Sequence, residues 1–431
     1  MQLEINQFRT YYVMVRRVKS YINYFFFFIV LYIFIYSPYL RSLQMGMGKI
    51  LIFFAFIYFS INFKTIKYIL LFKLEIMFIC ILILYTLLTS LWGDGSAGSM
   101  PYLHLQFIID CILVPIFLYK IFHKVVNYSR LNEYLVLVGT VASLITIYLV
   151  LNPVFNIYLR ESIIIDDLDA GTVQDSLRYI RGFTFSESST FGYGITQGII
   201  FGLALNETKS KSKFYLPLLL LLISILFNAR VGFVVVIISF VILYKRIKIS
   251  FIFYILVFIT VVGSYLNYSD FADENSQTIE WATDFFTESF DFFSGKKDSD
   301  STYDALTGRM FFLPESPFGI LFGEGKIVMG RDVGSDVGYV NQIFIGGLFY
   351  LFLLILTLYF FYMNFDRLTN TKFLGFFFIV IILVVNYKGA AMFTSHSFLR
   401  LFSLIYVVMK CMKYDHSFIN QKSMNVLNVK V

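Results

Sequence analysis

Six arginines, Arg178, Arg181, Arg230, Arg309, Arg331 and Arg400, are the side chains here best suited to chemistry. Arginine keeps its charge in any surroundings and grips phosphate or carboxylate through two parallel N–H bonds. Arg230 and Arg400 fall at or inside the ends of apolar runs, where an ionisable group is costly and normally faces a cavity. Arg181 and Gly192 have ten residues between them, and Arg309 and Gly325 have fifteen. Each pair sets a fixed cation upstream of a glycine that permits close backbone approach. Taken singly, each arginine could pair with neighbouring acids or lipid head groups. Taken together, they read as a surface for binding an anionic group.

Other chemistries find less in the sequence. His104, His123, His396 and His416 are scattered, and none stands at ligand spacing from another His, Cys or carboxylate. Asp298, Asp300 and Asp304 resemble a fragment of a calcium loop without its central Gly and closing Glu. No glycine-rich phosphate loop ending in Lys-Ser/Thr occurs, and no serine nucleophile elbow. The expectation is a protein without metal or cofactor. Cys80, Cys111 and Cys411 lie in or beside apolar runs and form no disulfide framework.

The elements that must hold these residues are almost wholly apolar. The chain is 58% hydrophobic and 15% charged, with 52 Phe in 431 residues, more than a soluble interior could take. Apolar runs recur at roughly the 17–25 residues that cross a hydrocarbon core of about 30 Å. Runs such as Tyr24–Val30 lack the alternation of a membrane β-barrel. The net charge of +7 does not point to nucleic acid, because the basic residues are dispersed in short loops beside apolar runs. Arg9, Arg16, Arg17 and Lys19 precede an apolar run with no small-residue cleavage site, so no cleavable signal is expected.

The expected fold is all-α: a polytopic transmembrane helical bundle, one membrane domain over residues 1–431, with about twelve spans. The expected spans are Tyr21–Tyr36, Ile50–Phe63, Ile69–Leu91, Leu103–Phe122, Tyr134–Leu151, Phe191–Leu205, Phe214–Phe227, Val231–Tyr244, Phe251–Leu266, Val340–Tyr362, Phe373–Val385 and Phe398–Met412. Short loops bearing Lys64 and Lys67, Lys120 and Lys124, Lys209 to Lys213, and Lys245 to Lys248 belong on the cytoplasmic side with both termini. Two long loops, residues 152–190 and 267–340, then lie outside and carry short helices. In the second, Ile279, Ala282, Phe286, Phe290 and Phe293 recur at helical steps opposite Glu280, Asp284, Glu288 and Asp291, an amphipathic helix.

The two arginine–glycine spacings in two long outer loops resemble those of the Wzy-type O-antigen and capsular repeat-unit polymerases. Gly182-Phe183-Thr184-Phe185-Ser186-Glu187-Ser188-Ser189 is similar to that family's Gly…Phe…Glu-Pro-Ser segment, with Ser188 in place of the usual Pro. Asn228-Ala229-Arg230 resembles the Ser-Arg step of the wider polymerase and ligase superfamily. Leu321-Phe322-Gly323-Glu324-Gly325, then Asp336, Gly338 and Gly346-Gly347, resembles the second-loop signature. The resemblance covers the layout of spans and loops with few matched residues.

The resemblance implies an oligosaccharide on undecaprenyl pyrophosphate as substrate, handled at the outer leaflet of the bacterial inner membrane. A hydroxyl of one unit attacks the anomeric carbon of the growing chain, and undecaprenyl pyrophosphate leaves. Arg178, Arg181, Arg230, Arg309 and Arg400, with Gly192 and Gly325, would bind pyrophosphate and glycan. Glu187, Asp336 and His396 are the candidate bases. Each has a plainer role: Glu187 as partner of Arg181, Asp336 as a helix cap, His396 as a span-end residue. A chain-length regulator is a possible partner. An O-antigen ligase and a lipid-linked glycan transporter remain open as alternatives.

Overall fold

Runs of Leu, Ile, Val and Phe can leave water only if their backbone groups bond internally, which coiling into helix achieves. In the computed structural model helix accordingly dominates the described residues. These are 21–40, 45–93, 95–123, 128–152, 154–155, 158–159, 190–208, 212–228, 231–243, 308–328, 334–368, 372–389, 391–394 and 396–428. In chain order the helices are α1 (Tyr21–Tyr36), α2 (Gly48–Ile61), α3 (Ile66–Leu70), α4 (Lys73–Ser90), α5 (Met100–Ile108), α6 (Val114–Phe122) and α7 (Tyr128–Leu151). They continue as α8 (Thr190–Thr208), α9 (Tyr215–Asn228), α10 (Val231–Leu243), α11 (Pro317–Phe322), α12 (Gly338–Leu368), α13 (Lys372–Val385) and α14 (Ser397–Asn428). A π-helical turn, Ile109–Leu113, joins α5 to α6. A two-residue antiparallel pair, Tyr39–Leu40 with Met45–Gly46, closes the link from α1 to α2.

Four helical stretches are long and apolar enough to cross a membrane: Lys73–Ser90, Ser96–Phe122, Arg130–Leu151 and Gly338–Phe365. A fifth arises if α2 and Phe63–Leu70, bent by 103°, count as one broken span. Shorter apolar helices occupy Tyr21–Tyr36, Tyr215–Phe227, Val231–Leu243 and Leu374–Val385. Full-length spans are thus fewer among the described residues than the expected twelve. Four of the expected spans form helices of only 10–17 residues, shorter than a straight crossing of a hydrocarbon core needs. The expected span Phe251–Leu266 and the amphipathic helix at Ile279–Phe293 lie outside the described residues.

The helices pack as a chain of neighbours. α4 touches α5 and α12, α12 touches α13, and α13 touches α10; α8 contacts α7, α9, α10 and α14, while α6 lies between α14 and α2. The closest seam joins α8 to α10. Gly194, Gly198 and Gly202 recur every four residues along one face of α8, the small-residue stripe that lets helix backbones approach. A methyl group at Gly198 would stand 2.7 Å from Val235 Cβ, and one at Gly232 would stand 2.6 Å from the Gly194 carbonyl. Between α12 and α14, the rings of Phe365, Phe402 and Tyr406 stack within 5.6–6.3 Å at interplanar angles of 14–18°.

Helix ends gather at two poles. At one pole Asp415 of α14 accepts hydroxyls from Tyr68 (2.6 Å) and Tyr119 (2.8 Å). There too Phe27 packs on Phe122 at 4.9 Å, Arg130 donates to the Tyr24 hydroxyl at 2.9 Å, and Lys213 pairs with Glu133 at 3.4 Å. Just inside this pole Glu75 is fully buried. Its Oε1 accepts from Lys410, from the Tyr406 hydroxyl and from Asn364. The opposite pole holds the starts of α8, α12 and α14.

Candidate functional site

The connection from α13 to α14 delivers His396 to the start of α14. Its carbonyl accepts the N–H groups of Leu399 and Arg400, both at 3.0 Å, and so opens the helix. The Ser397 hydroxyl meets the Gly192 carbonyl at 3.1 Å and Thr196 Oγ1 at 2.8 Å, and Thr196 also bonds the Gly192 carbonyl at 2.7 Å. The starts of α8 and α14 are therefore laced through Gly192. The half-buried His396 ring stacks on Phe398 at 5.6 Å and meets the edge of Phe191 at 6.3 Å.

One turn further, Arg400 is only 5% exposed. Its Nη2 pairs with Asp110 Oδ2 at 3.5 Å, and Gln106 Nε2 donates to the same oxygen at 3.3 Å. Asp110 sits on the π-helical turn, a form of helix found often at functional sites. Arg400, Asp110, Gln106, Lys49 and Gly48 line a cavity with Phe34, Ile52 and Val114. Gly48 lets Ser37 pack against the cavity wall, because a side chain there would strike Ser37 Oγ at 2.7 Å. Ser37 itself accepts the Gly48 N–H at 3.0 Å.

The start of α12 joins the same pole. Gly338 packs tightly against the backbone of Asn386 and Gly389, and Gly389 in turn faces the Phe191 ring. Gln342 and Asn386, both buried, exchange two amide hydrogen bonds of 2.9 Å, and Asn386 also accepts the Ala391 N–H at 2.9 Å. Ahead of α12, Ser335 folds the chain. Its hydroxyl accepts from Val337 N–H at 3.0 Å and donates to the Met310 carbonyl at 2.6 Å. Asn341 donates to the Ser335 carbonyl at 2.6 Å and accepts the Val328 N–H at 3.2 Å. The cap-like role open to Asp336 is thus taken by Ser335, leaving Asp336 half-buried beside it.

α12 is broken two turns in. Gly346 (φ −149°, ψ 16°) and Gly347 (φ 71°, ψ −172°) leave helical geometry. The freed carbonyls find donors within the protein: Phe344 accepts Glu324 N–H at 2.8 Å, and Gly346 accepts the Tyr85 hydroxyl at 2.8 Å. Opposite the break, Gly323 (φ 83°) has no room for a side chain against Gly346, and its carbonyl takes the Trp92 indole N–H at 3.4 Å. Gly325 (φ 64°) presses against the Thr89 carbonyl and Gly93.

The structure places the candidate residues as follows. Gly192, His396 and Arg400 share one pole; Asp336 joins them through Gly338, and the exposed Arg309 through the Met310–Ser335 bond. Gly325 is set apart, and the close approach it permits is to the chain's own backbone. Arg178, Arg181, Glu187 and Arg230 lie outside the described residues. The sequence reading missed Ser335, Asn341 and the Gln342–Asn386 pair, whose only signal is a cluster of small polar residues flanking an apolar run. His104 is fully buried between the Phe393 carbonyl (3.1 Å) and the Tyr350 hydroxyl (2.7 Å), a staple between helices. Among the described residues no three His, Cys, Asp or Glu side chains gather at metal-binding distance. No protein-family model, curated protein or solved structure matches the chain.

Proposed function

We propose that this protein joins oligosaccharide repeat units carried on undecaprenyl pyrophosphate into O-antigen or capsular polysaccharide, as a multi-pass protein of the bacterial inner membrane with about twelve spans. The observation that carries the reading is the convergence at one pole of Gly192, Asp336, His396 and the buried Arg400–Asp110 pair, with Arg309 beside them. The acceptor hydroxyl attacks the anomeric carbon, the bond from that carbon to pyrophosphate breaks, and the hydroxyl proton passes to a base among His396, Glu187 and Asp336. Arg309 and Arg400, with Arg178 and Arg181 of the first long loop and Arg230 of the short link between α9 and α10, balance the charge on the departing pyrophosphate. Grouping of helix ends by pole supports the topology: Lys120, Arg130 and Lys213, assigned to the cytoplasm by charge, fall at the pole opposite His396.

The test is a glycan ladder. Arg181→Ala and Arg309→Ala are expected to abolish long chains while single-repeat glycans persist, and unchanged ladders in both variants would sink the proposal. A transporter of lipid-linked glycan is the second reading, favoured by the break in α12 and the buried Glu75–Lys410 pair, since transporters use discontinuous helices and buried charge. It predicts single-repeat glycan held at the inner leaflet in the same variants.

A further inference from the structure

The segment from Phe311 to Gly325 reads as an outer loop in the sequence, yet its surface is not that of a loop in water. Along α11, Phe318 is 58% exposed, Leu321 50% and Phe322 40%. Their spacing of three and four residues puts them on one face of the helical turn. The opposite face is closed: Gly319 is buried against Pro314 and Glu324. Rings extend the outward face on both sides, from Trp92 to Phe318 (6.2 Å), to Phe322 (5.3 Å) and on to Phe349 (6.5 Å). That ladder runs from the end of α4 to α12, two helices long and apolar enough to cross a membrane, and it is continuous with their own exposed Leu88, Leu91 and Phe352.

The backbone beneath supplies an independent observation. Non-helical backbone at membrane depth is tolerated only where the protein itself satisfies it. At this break the carbonyls of Phe344, Gly346, Phe322 and Gly323 accept from Glu324 N–H, the Tyr85 hydroxyl (for both Gly346 and Phe322) and the Trp92 indole. Tyr85 and Trp92 are large side chains spent on bonds that water would make freely at an outer surface.

We infer that α11 and the break in α12 form a wedge embedded in the bilayer, with Phe318, Leu321 and Phe322 against lipid acyl chains. The wedge rests on the membrane-spanning part of the proposed function and not on its glycan chemistry.

The chain has two tryptophans, so Trp281→Phe leaves Trp92 as the sole tryptophan, read by excitation at the red edge where tyrosine does not absorb. In phosphatidylcholine–phosphatidylglycerol vesicles with brominated acyl chains, Trp92 is expected to lose most of its emission while aqueous iodide removes little. The same is expected of a lone tryptophan placed by F318W in a chain also lacking Trp92 and Trp281. A lone tryptophan from L84W, on the exposed mid-face of α4, reports membrane insertion itself. Quenching of L84W by bromolipid with Trp92 and F318W reached by iodide would overturn the wedge alone. Quenching of Trp92 and F318W by neither agent would also overturn it, by showing a protein cover. Failure of bromolipid to quench L84W would overturn the membrane reading with it.

Discussion

Lys410→Met isolates a charge that is fully buried among the described residues, Glu75. Glu75 has a side chain 1% exposed, whereas that of Lys410 is 20% exposed. Oε1 of Glu75 takes donors from Lys410, Tyr406 and Asn364, while Oε2 is buried without a partner among the described residues. Removing the lysine strands a carboxylate that cannot reach water, and breaking a buried pair from one side costs about 3–5 kcal/mol. Removing the charge from the other side is milder. In Glu75→Gln the amide oxygen still accepts from Tyr406, and Lys410 can turn toward its exposed edge, so a loss of about 1–2 kcal/mol is expected. Replacing both by methionine restores a matched apolar contact, within about 1 kcal/mol of the parent. The assay is equilibrium unfolding in mixed detergent micelles of the parent, Lys410→Met, Glu75→Gln, Glu75→Met and the double methionine variant. Equal costs for Lys410→Met and Glu75→Gln, or a double methionine cost equal to the sum for the two methionine substitutions made singly, would refute the asymmetry and the reading of Glu75 as a charge held by Lys410.

Gly347→Ala is expected to lower thermal stability sharply and shift Trp92 emission. Its backbone lies in a region open in practice only to glycine, worth about 1–3 kcal/mol, and the added methyl meets the Leu321–Phe322 backbone. Thr196→Val and Ser397→Ala should each cost about 1 kcal/mol in the same unfolding assay, and together less than their sum because the two hydroxyls share one bond. Reporter fusions at Ser129 and Ser299 should report cytoplasm and outside respectively, and the reverse pattern would overturn the orientation.

Much of the helical frame is written in composition, because apolar runs must coil to leave water. The stripe Gly194, Gly198, Gly202 is equally open to reading, and it marks the α8–α10 seam that hydropathy alone does not register. An arginine within an apolar run is expected to face a cavity, and Arg400 lines one. What it pairs with is another matter: Asp110 is 290 residues away, and no local rule joins them. The glycine spacings show the same limit. Gly325 allows close approach, but its spacing from Arg309 is silent on what approaches, which is the chain's own Thr89 and Gly93. Gly346-Gly347 is visible as a glycine pair, while the break it makes depends on Tyr85 and Glu324 arriving from elsewhere.

The π-helical turn at Ile109–Leu113 has a consequence for how such a chain can change over generations. A π turn is a helix holding one residue more than its hydrogen-bond ladder needs. Loss of a single codon within it would return the stretch to regular α-helix, leaving α5 seated on Tyr350 through His104 and α6 on Asp415 through Tyr119. Only the face presented by Asp110 would turn away from Arg400. The ion pair beside the cavity can therefore be gained or lost by a one-codon step that disturbs neither flanking seam.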